Sequence, residues 1–272
     1  MTAALSDTSM WLPLEGLEPG FDENKPTPSS DLDGRGLAVV STTGSRVEVH
    51  FEEGAVGWRR TLGGDDSVET SGHDAVEVFR IDEDLYLAQL HFATAPDEAM
   101  SLVLDLRSGQ ALIGLSVLGD AASGRTAVQQ RFEPAVIEGL QPRGAAPSPT
   151  TALIGRRVEW VYSTEHAYEH VYLSPHWYTW QCLAGPERGL ADTDEVSVWE
   201  LRPGIYVFAW REKVVPCGSV TVADHRNPNA ITSVGVLFGR NSDGGHGHFT
   251  FGAKGRLISV SAHGPGLDPA GF

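Results

Sequence analysis

The run "IYVFAWREKVVPCG" puts Tyr206, Phe208, Trp210 and Glu212 at alternate positions, so an extended chain sets three rings and a carboxylate on one face. A carboxylate held among rings is desolvated, which raises its pKa and suits it to acid or base chemistry. The plainer alternative is a rim ion pair with a basic neighbour, and ion pairs also perturb pKa values. A second run, "STEHAYEHVYLSPHWYTWQC", alternates in the same way. His166, Tyr168, His170 and Tyr172 share a face there, Tyr178 and Trp180 follow, and "VEWVYS" adds Trp160 and Tyr162. Buried Tyr and His need hydrogen-bond partners, so such a face is expected to line a cavity whose ligand or network satisfies it. Arg211 and Lys213 then fall outside. If the strand phase is shifted by one, Glu169, Thr179, Gln181 and Lys213 point inward instead, and the rings meet solvent.

Other constellations are weaker. His246 and His248 in "GGHGHFTF" share a face if extended, and with His166 and His170 they could supply a three-His site for a zinc-type ion. His-x-His in a glycine-rich segment also arises by accident, and no metal is expected. His248 is instead placed with the ligand-contacting residues. Glu187, Asp192 and Asp194 in "GPERGLADTD" are either a carboxylate cluster for a cation or a solvated turn. There is no GxGxxG after a strand, no Walker loop, no GxSxG and no HExxH, so no cofactor is expected.

The elements that must position these residues come from an internal repeat. "GRGLAVVSTTGSRVEVHF" from residue 34 aligns with "GRRVEWVYSTEHAYEHVY" from residue 155, an offset of 121 that drifts to 120 and then 119 in later blocks. So long a period indicates two duplicated domains rather than a solenoid. Each copy carries about eight short runs of period-2 alternation separated by turn residues, as in Val47-Glu48-Val49-His50-Phe51. The expected fold is all-β: tandem duplicated lipocalin-like antiparallel β-barrels. Residues 1–32 are an extended lead-in lying against a barrel, 33–139 the first barrel, 140–150 a Pro/Ala/Ser-rich linker and 151–272 the second barrel. An eight-strand barrel is either filled by side chains or holds one small ligand. At matching positions the first copy has Ser45, Val47, Val49 and Phe51 where the second has His166, Tyr168, His170 and Tyr172. Asp105 and Arg107 of the first copy recur as Asp224 and Arg226, a shared pair that suits a turn.

Composition narrows the partners. A formal charge of −16 disfavours nucleic acid and anionic lipid, and no run approaches a membrane-spanning length. A cytoplasmic location follows as the expectation. Cys182 and Cys217 are too few for a disulfide framework and read as buried free thiols.

The stretch "YEHVYLSPHWYTWQCLAGPERGLADTD", followed by "IYVFAWREKVVPCG", resembles the MoaF family, molybdenum cofactor biosynthesis protein F. The resemblance spans most of the chain and implies a tandem of calycin-like barrels. Tyr178, Trp180, Glu187, Asp192, Asp194, Trp210, Glu212 and Lys213 match its distinctive second-half pattern. A family name does not identify chemistry, which has to come from the site.

The resulting expectation is a small organic ligand in the second barrel, aromatic or conjugated, handled by lyase, decarboxylase, hydratase or cyclase chemistry without a cofactor. Glu212 and His170 would serve as acid and base, with Tyr178 beside them. Tyr168, Tyr172 and Tyr206 would orient the ligand, and Trp160, Trp180 and Trp210 would stack on it with Tyr162, His166, Phe208 and His248 near. The first barrel would be scaffold or dimer surface. A non-catalytic carrier or sensor, and an accessory protein of cofactor assembly, are the alternatives.

Overall fold

A computed structural model describes residues 11–63, 68–119, 126–264 and 266–271. Among these, strands β1 (Gly36–Ser41), β2 (Arg46–Glu52), β3 (Ala55–Thr61), β4 (Glu69–Asp82), β5 (Leu85–His91), β6 (Glu98–Asp105), β7 (Gln110–Leu118) and β8 (Val128–Ile137) form one closed antiparallel barrel. Each strand pairs with the next, and β1 closes on β8 with Val39 opposite Ile137. A two-residue strand β9 (Ser148–Pro149) follows. Then β10 (Arg156–Val161), β11 (Ala167–Tyr172), β12 (Trp177–Ala184), β13 (Ala191–Arg202), β14 (Ile205–Arg211), β15 (Cys217–Asp224), β16 (Ile231–Arg240) and β17 (His246–Val260) repeat the meander. This second ring closes where β10 pairs with β17, Val158 facing Leu257, while β9 clips onto the outside of β13. The protein is therefore an all-β pair of eight-stranded barrels with almost no helix.

Burial follows the sequence pattern. In β2, Val47, Val49 and Phe51 point inward while Glu48, His50 and Glu52 are more exposed, as period-2 strands require. The alternation is lost in β6, β14, β15 and β16, which are buried almost throughout. Barrel packs on barrel there: Phe79 of β4, Leu85 and Leu87 of β5 and Val103 of β6 meet Ile205, Val207, Val220 and Val234. At the edge of that seam Arg202 donates to Asp105 Oδ1 and Oδ2 at 2.8 and 2.9 Å and to Asp82 at 3.0 Å. Burial of the Arg211 guanidinium also belongs to the seam, where it bonds Gln130 of the first barrel at 3.0 Å. Asp224 and Arg226 form the expected local pair, at 2.6 Å.

The first barrel's interior is apolar, built from residues such as Val47, Phe51, Leu90, Met100 and Leu102. The lead-in is divided between the two barrels. Leu32 plugs the first, whereas helix α1 (Leu14–Leu17) and Phe21 belong to the core of the second. No helix among the described residues is long and apolar enough to cross a membrane.

Candidate functional site

β11, β12 and β14 turn Tyr168, His170, Tyr172, Tyr178, Trp180, Phe208 and Trp210 into the second barrel, because alternate residues of each strand face one side. Glu169 is on the outer side, paired with Arg157 at 2.6 Å, and Lys213 is exposed. Within this interior a chamber of about 60 Å³ is lined by Tyr168, His170, Tyr178, Trp180, Trp210 and Glu212, with Tyr162, Glu187 and Leu237 completing its wall. That volume holds a few water molecules, whereas ligand pockets run to about 300 Å³ and more. A larger depression of about 660 Å³ lies on the first barrel beside Arg60 and Glu98, and its described lining gathers no comparable set of rings and acids.

The lead-in packs over the chamber, with Leu17 and Phe21 in its lining. Trp11 meets Trp180 edge-on at 5.1 Å, and Phe21 packs on Tyr162 at 4.5 Å and on His166 at 5.3 Å. Gly20 makes this approach feasible: its φ of +85° suits glycine, and a Cβ there would come within 3.0 Å of His166 Nδ1. Glu187, 4% exposed, accepts from the Leu12 backbone N–H at 3.1 Å and from the Tyr168 hydroxyl at 2.9 Å.

At the same end, β13 pairs with β12 and sets Asp194 opposite Tyr178. Asp194 is fully buried, accepts the Trp180 indole N–H at 2.8 Å and lies beside Glu212, with oxygens of the two within 4.8 Å. Two buried carboxyl groups this close are costly to ionise together, so one keeps its proton. Burial first, and then the Asp194 charge, push Glu212 well above the usual carboxylate range, so the proton belongs to Glu212. Burial raises Asp194 as well, partly offset by the Trp180 indole N–H. Asp192 joins them, with ligand atoms of all three within 4.8 Å of one another, but Lys213 takes Asp192 at 2.9 Å. One proton and one ammonium thus balance much of the charge that a cation would otherwise neutralise.

His170 lies among Tyr178, Phe208 and Trp160 at 5.1, 5.7 and 6.3 Å between ring centroids, with Nδ1 buried and unpartnered. Burial drops it to about 3, so it is a neutral imidazole at any ordinary pH. Burial also raises the Tyr162, Tyr168 and Tyr178 phenols. Tyr178 and its neighbours therefore donate as neutral hydroxyls.

The structure separates some residues that the sequence grouped. Trp160, Tyr172, Tyr206 and Phe208 are inside the second barrel but away from the chamber wall. His166 sits at its rim, bonded to Ser163 at 3.0 Å. His248 is a correction. β17 points Phe249 and Phe251 inward, which turns His248 out to stack on His91 of the first barrel at 4.8 Å. His246 is also outside, bonded to Asp97 at 2.8 Å, so the three-His grouping does not assemble. The sequence offers Glu187 and Asp194 as a cation cluster or a solvated turn and as part of the family pattern, not as chamber residues, and Leu17, Phe21 and Leu237 carry no signal in it. Cys182 and Cys217 are free and buried.

Comparison with known proteins agrees with the duplicated plan. The MoaF N-terminal domain profile matches residues 9–120 and the MoaF C-terminal domain profile residues 147–261. Protein MoaF of Klebsiella aerogenes is 39% identical over 140 residues, which are 51% of this chain and 52% of that protein, so the match spans about half of each. A solved protein of unknown function from the DUF3598 family of Nostoc punctiforme aligns over 81% of this chain and 93% of its own at 12% identity, with a TM-score of only 0.37. With one family domain on each barrel, the chain belongs to the MoaF family.

Proposed function

We propose that the second barrel binds a small, aromatic or conjugated organic molecule beneath the lead-in and acts on it by acid–base chemistry. The observation that carries this reading is the buried Glu212–Asp194 pair, with Glu212 on the wall of an aromatic chamber and burial favouring its protonated form. Glu212 is the acid and Asp194 its conjugate partner. His170 moves from base to orienting group, because an imidazole held near 3 has little tendency to take a proton at neutral pH. Tyr168 and Tyr178 position the ligand, and Trp180 and Trp210 flank it. A ligand of this size needs more room than the chamber's about 60 Å³, which a displacement of the segment Trp11–Phe21 would provide.

The same small volume favours a second reading, a barrel that takes no ligand and serves as an accessory protein, the role that the family's association with molybdenum cofactor biosynthesis suggests. A non-catalytic carrier is intermediate between the two. Metal-stripped full-length protein titrated with aromatic acids, aldehydes, polyenes and pterins separates these readings, with thermal stability and Trp fluorescence as readouts. Ligand at about 100 times its Kd adds about 2.7 kcal/mol. A stabilising compound that quenches Trp, and whose turnover is lost in Glu212→Gln while binding survives, supports the acid–base reading. Binding without turnover leaves the carrier, and no binding by any compound sinks the ligand site altogether.

A further inference from the structure

The end of the second barrel away from the lead-in carries a different set of groups. Tyr206 and Glu212 are six residues apart on the inner face of β14 and its extension, so they lie about 20 Å apart along the barrel. Around Tyr206 stand Trp160, Tyr172 and His225, all 5% exposed or less. The His225 ring is 5.8 Å from Trp160 and 5.7 Å from Tyr206. Both His225 nitrogens are buried without a hydrogen-bond partner, and Trp160 Nε1, also buried, reaches only towards the Tyr172 hydroxyl. Arg156, half-buried at the start of β10, has no carboxylate within ion-pair distance among the described residues. Its charge acts on Tyr172, Tyr206 and His225 together. Several N–H and O–H donors are thus gathered at this end under the positive charge of Arg156, which is the chemistry of an anion site.

The first barrel shows what satisfies this arrangement. The two copies superimpose in register: Val39 faces Val47 as Trp160 faces Tyr168, and Tyr86 faces Leu104 as Tyr206 faces Ala223. Leu106 N–H donates to Asp84 O where His225 N–H donates to Gly204 O. In the first copy the Tyr86 hydroxyl donates to Asp31 Oδ2 at 3.1 Å, and Arg80 stands 3.6 Å from the same oxygen. Asp31 precedes the buried Leu32; the buried Leu153 is its counterpart, and the residue before it is Ala152. The second copy has lost this carboxylate at the barrel mouth. In its place it has gained donors, with Trp160 for Val39, Tyr172 for Phe51 and His225 for Leu106.

We infer that this end of the second barrel binds the carboxylate group of a small organic acid, held by Tyr206, His225, Trp160 and Arg156 in the position that Asp31 fills in the first barrel. The site is separate from the Glu212 chamber and does not depend on the function proposed for it. Two carboxylates of the protein act on the same groups. Asp224 is neutralised by Arg226, and Glu200 stands across Tyr206 and opposes the incoming anion.

The test titrates the full-length protein with formate, acetate and benzoate, following the Trp160 indole N–H and the His225 ring by NMR. Acetamide and benzamide are the neutral controls, and chloride at equal ionic strength controls for unselective anion binding. Saturable shifts with the acids alone are expected. Ala152→Asp restores the missing carboxylate at an exposed position and should weaken acetate binding at least tenfold without loss of thermal stability. Arg156→Gln should weaken it about as much, and Glu200→Gln should tighten it severalfold. Equal shifts from chloride or from the amides, no saturable shift with any acid, or unchanged acetate binding in Ala152→Asp would each overturn the inference.

Discussion

The backbone N–H of Leu12 donates to Glu187 Oε1 at 3.1 Å, tying the lead-in to a residue 175 positions later in the chain. The other oxygen of Glu187 holds the Tyr168 hydroxyl, so one buried carboxylate fixes both the cover and the wall of the chamber. Removing it leaves an orphaned N–H and an orphaned hydroxyl. Glu187→Ala is expected to cost about 2 kcal/mol in denaturant unfolding. It should also speed amide exchange across residues 11–21 at least tenfold. Exchange that stays at the wild-type rate would show that aromatic packing alone holds the cover.

The proton on Glu212 has a thermodynamic signature of definite sign. Its folded pKa is well above the unfolded value of 4.5, so between that value and its folded pKa the native state binds a proton that the unfolded chain has released. Its contribution is therefore complete below about pH 4.5 and is lost as pH rises through the folded pKa. Glu212→Gln keeps the shape and the donor but removes the titration. The variant is expected to gain stability over the wild type at pH 8, with the gain shrinking towards pH 4.5. Parallel stability curves for the two proteins would place the proton elsewhere.

Three histidines act in the opposite direction. Burial lowers His170 and His248 to about 3 and His225 to about 4. Each contributes stability that is present above its unfolded value of about 6.5 and lost as pH falls through its folded value. Acid unfolding should thus steepen below about pH 6.5. His225→Leu, which installs the residue at the matching position of the first copy, should flatten the curve between about pH 6 and 4. A wild-type slope in that variant would remove His225 from the set.

Arg202 joins the barrels by bonding Asp105 and Asp82 at once, with 8% of its side chain exposed. Breaking a buried pair from one side strands the other charge and costs about 3–5 kcal/mol. Arg202→Met is expected to lower stability by about that amount and to split a single unfolding transition into two, one per barrel. Calorimetry reads this directly. One sharp transition in the variant would mean that the apolar seam of Phe79, Leu87, Val207 and Val222 suffices for coupling.

The period-2 strands, the duplication and the inward-turning face of β11 and β14 are legible in the residues alone. Those are local properties, set by the alternation of side chains along an extended chain, and two aligned copies expose what differs between them. His166, Tyr168, His170 and Tyr172 could therefore be read as a ring-bearing face, and Glu212 as the acid ending another. That Asp194 stands against Glu212 was decided on folding, because the contact depends on the register of β13 on β14, which sets Glu195 opposite Arg211 and so their neighbours Asp194 and Glu212 side by side. Chain alternation is silent on register. The same holds for the cover: Trp11, Leu17 and Phe21 reach the chamber through contacts that span most of the chain, driven by burial of apolar surface with no sequence period to announce them. His248 shows the limit from the other side. The Gly-His-Gly-His run carries too little alternation to fix its phase, so the packing of one barrel on the other determined which way it points.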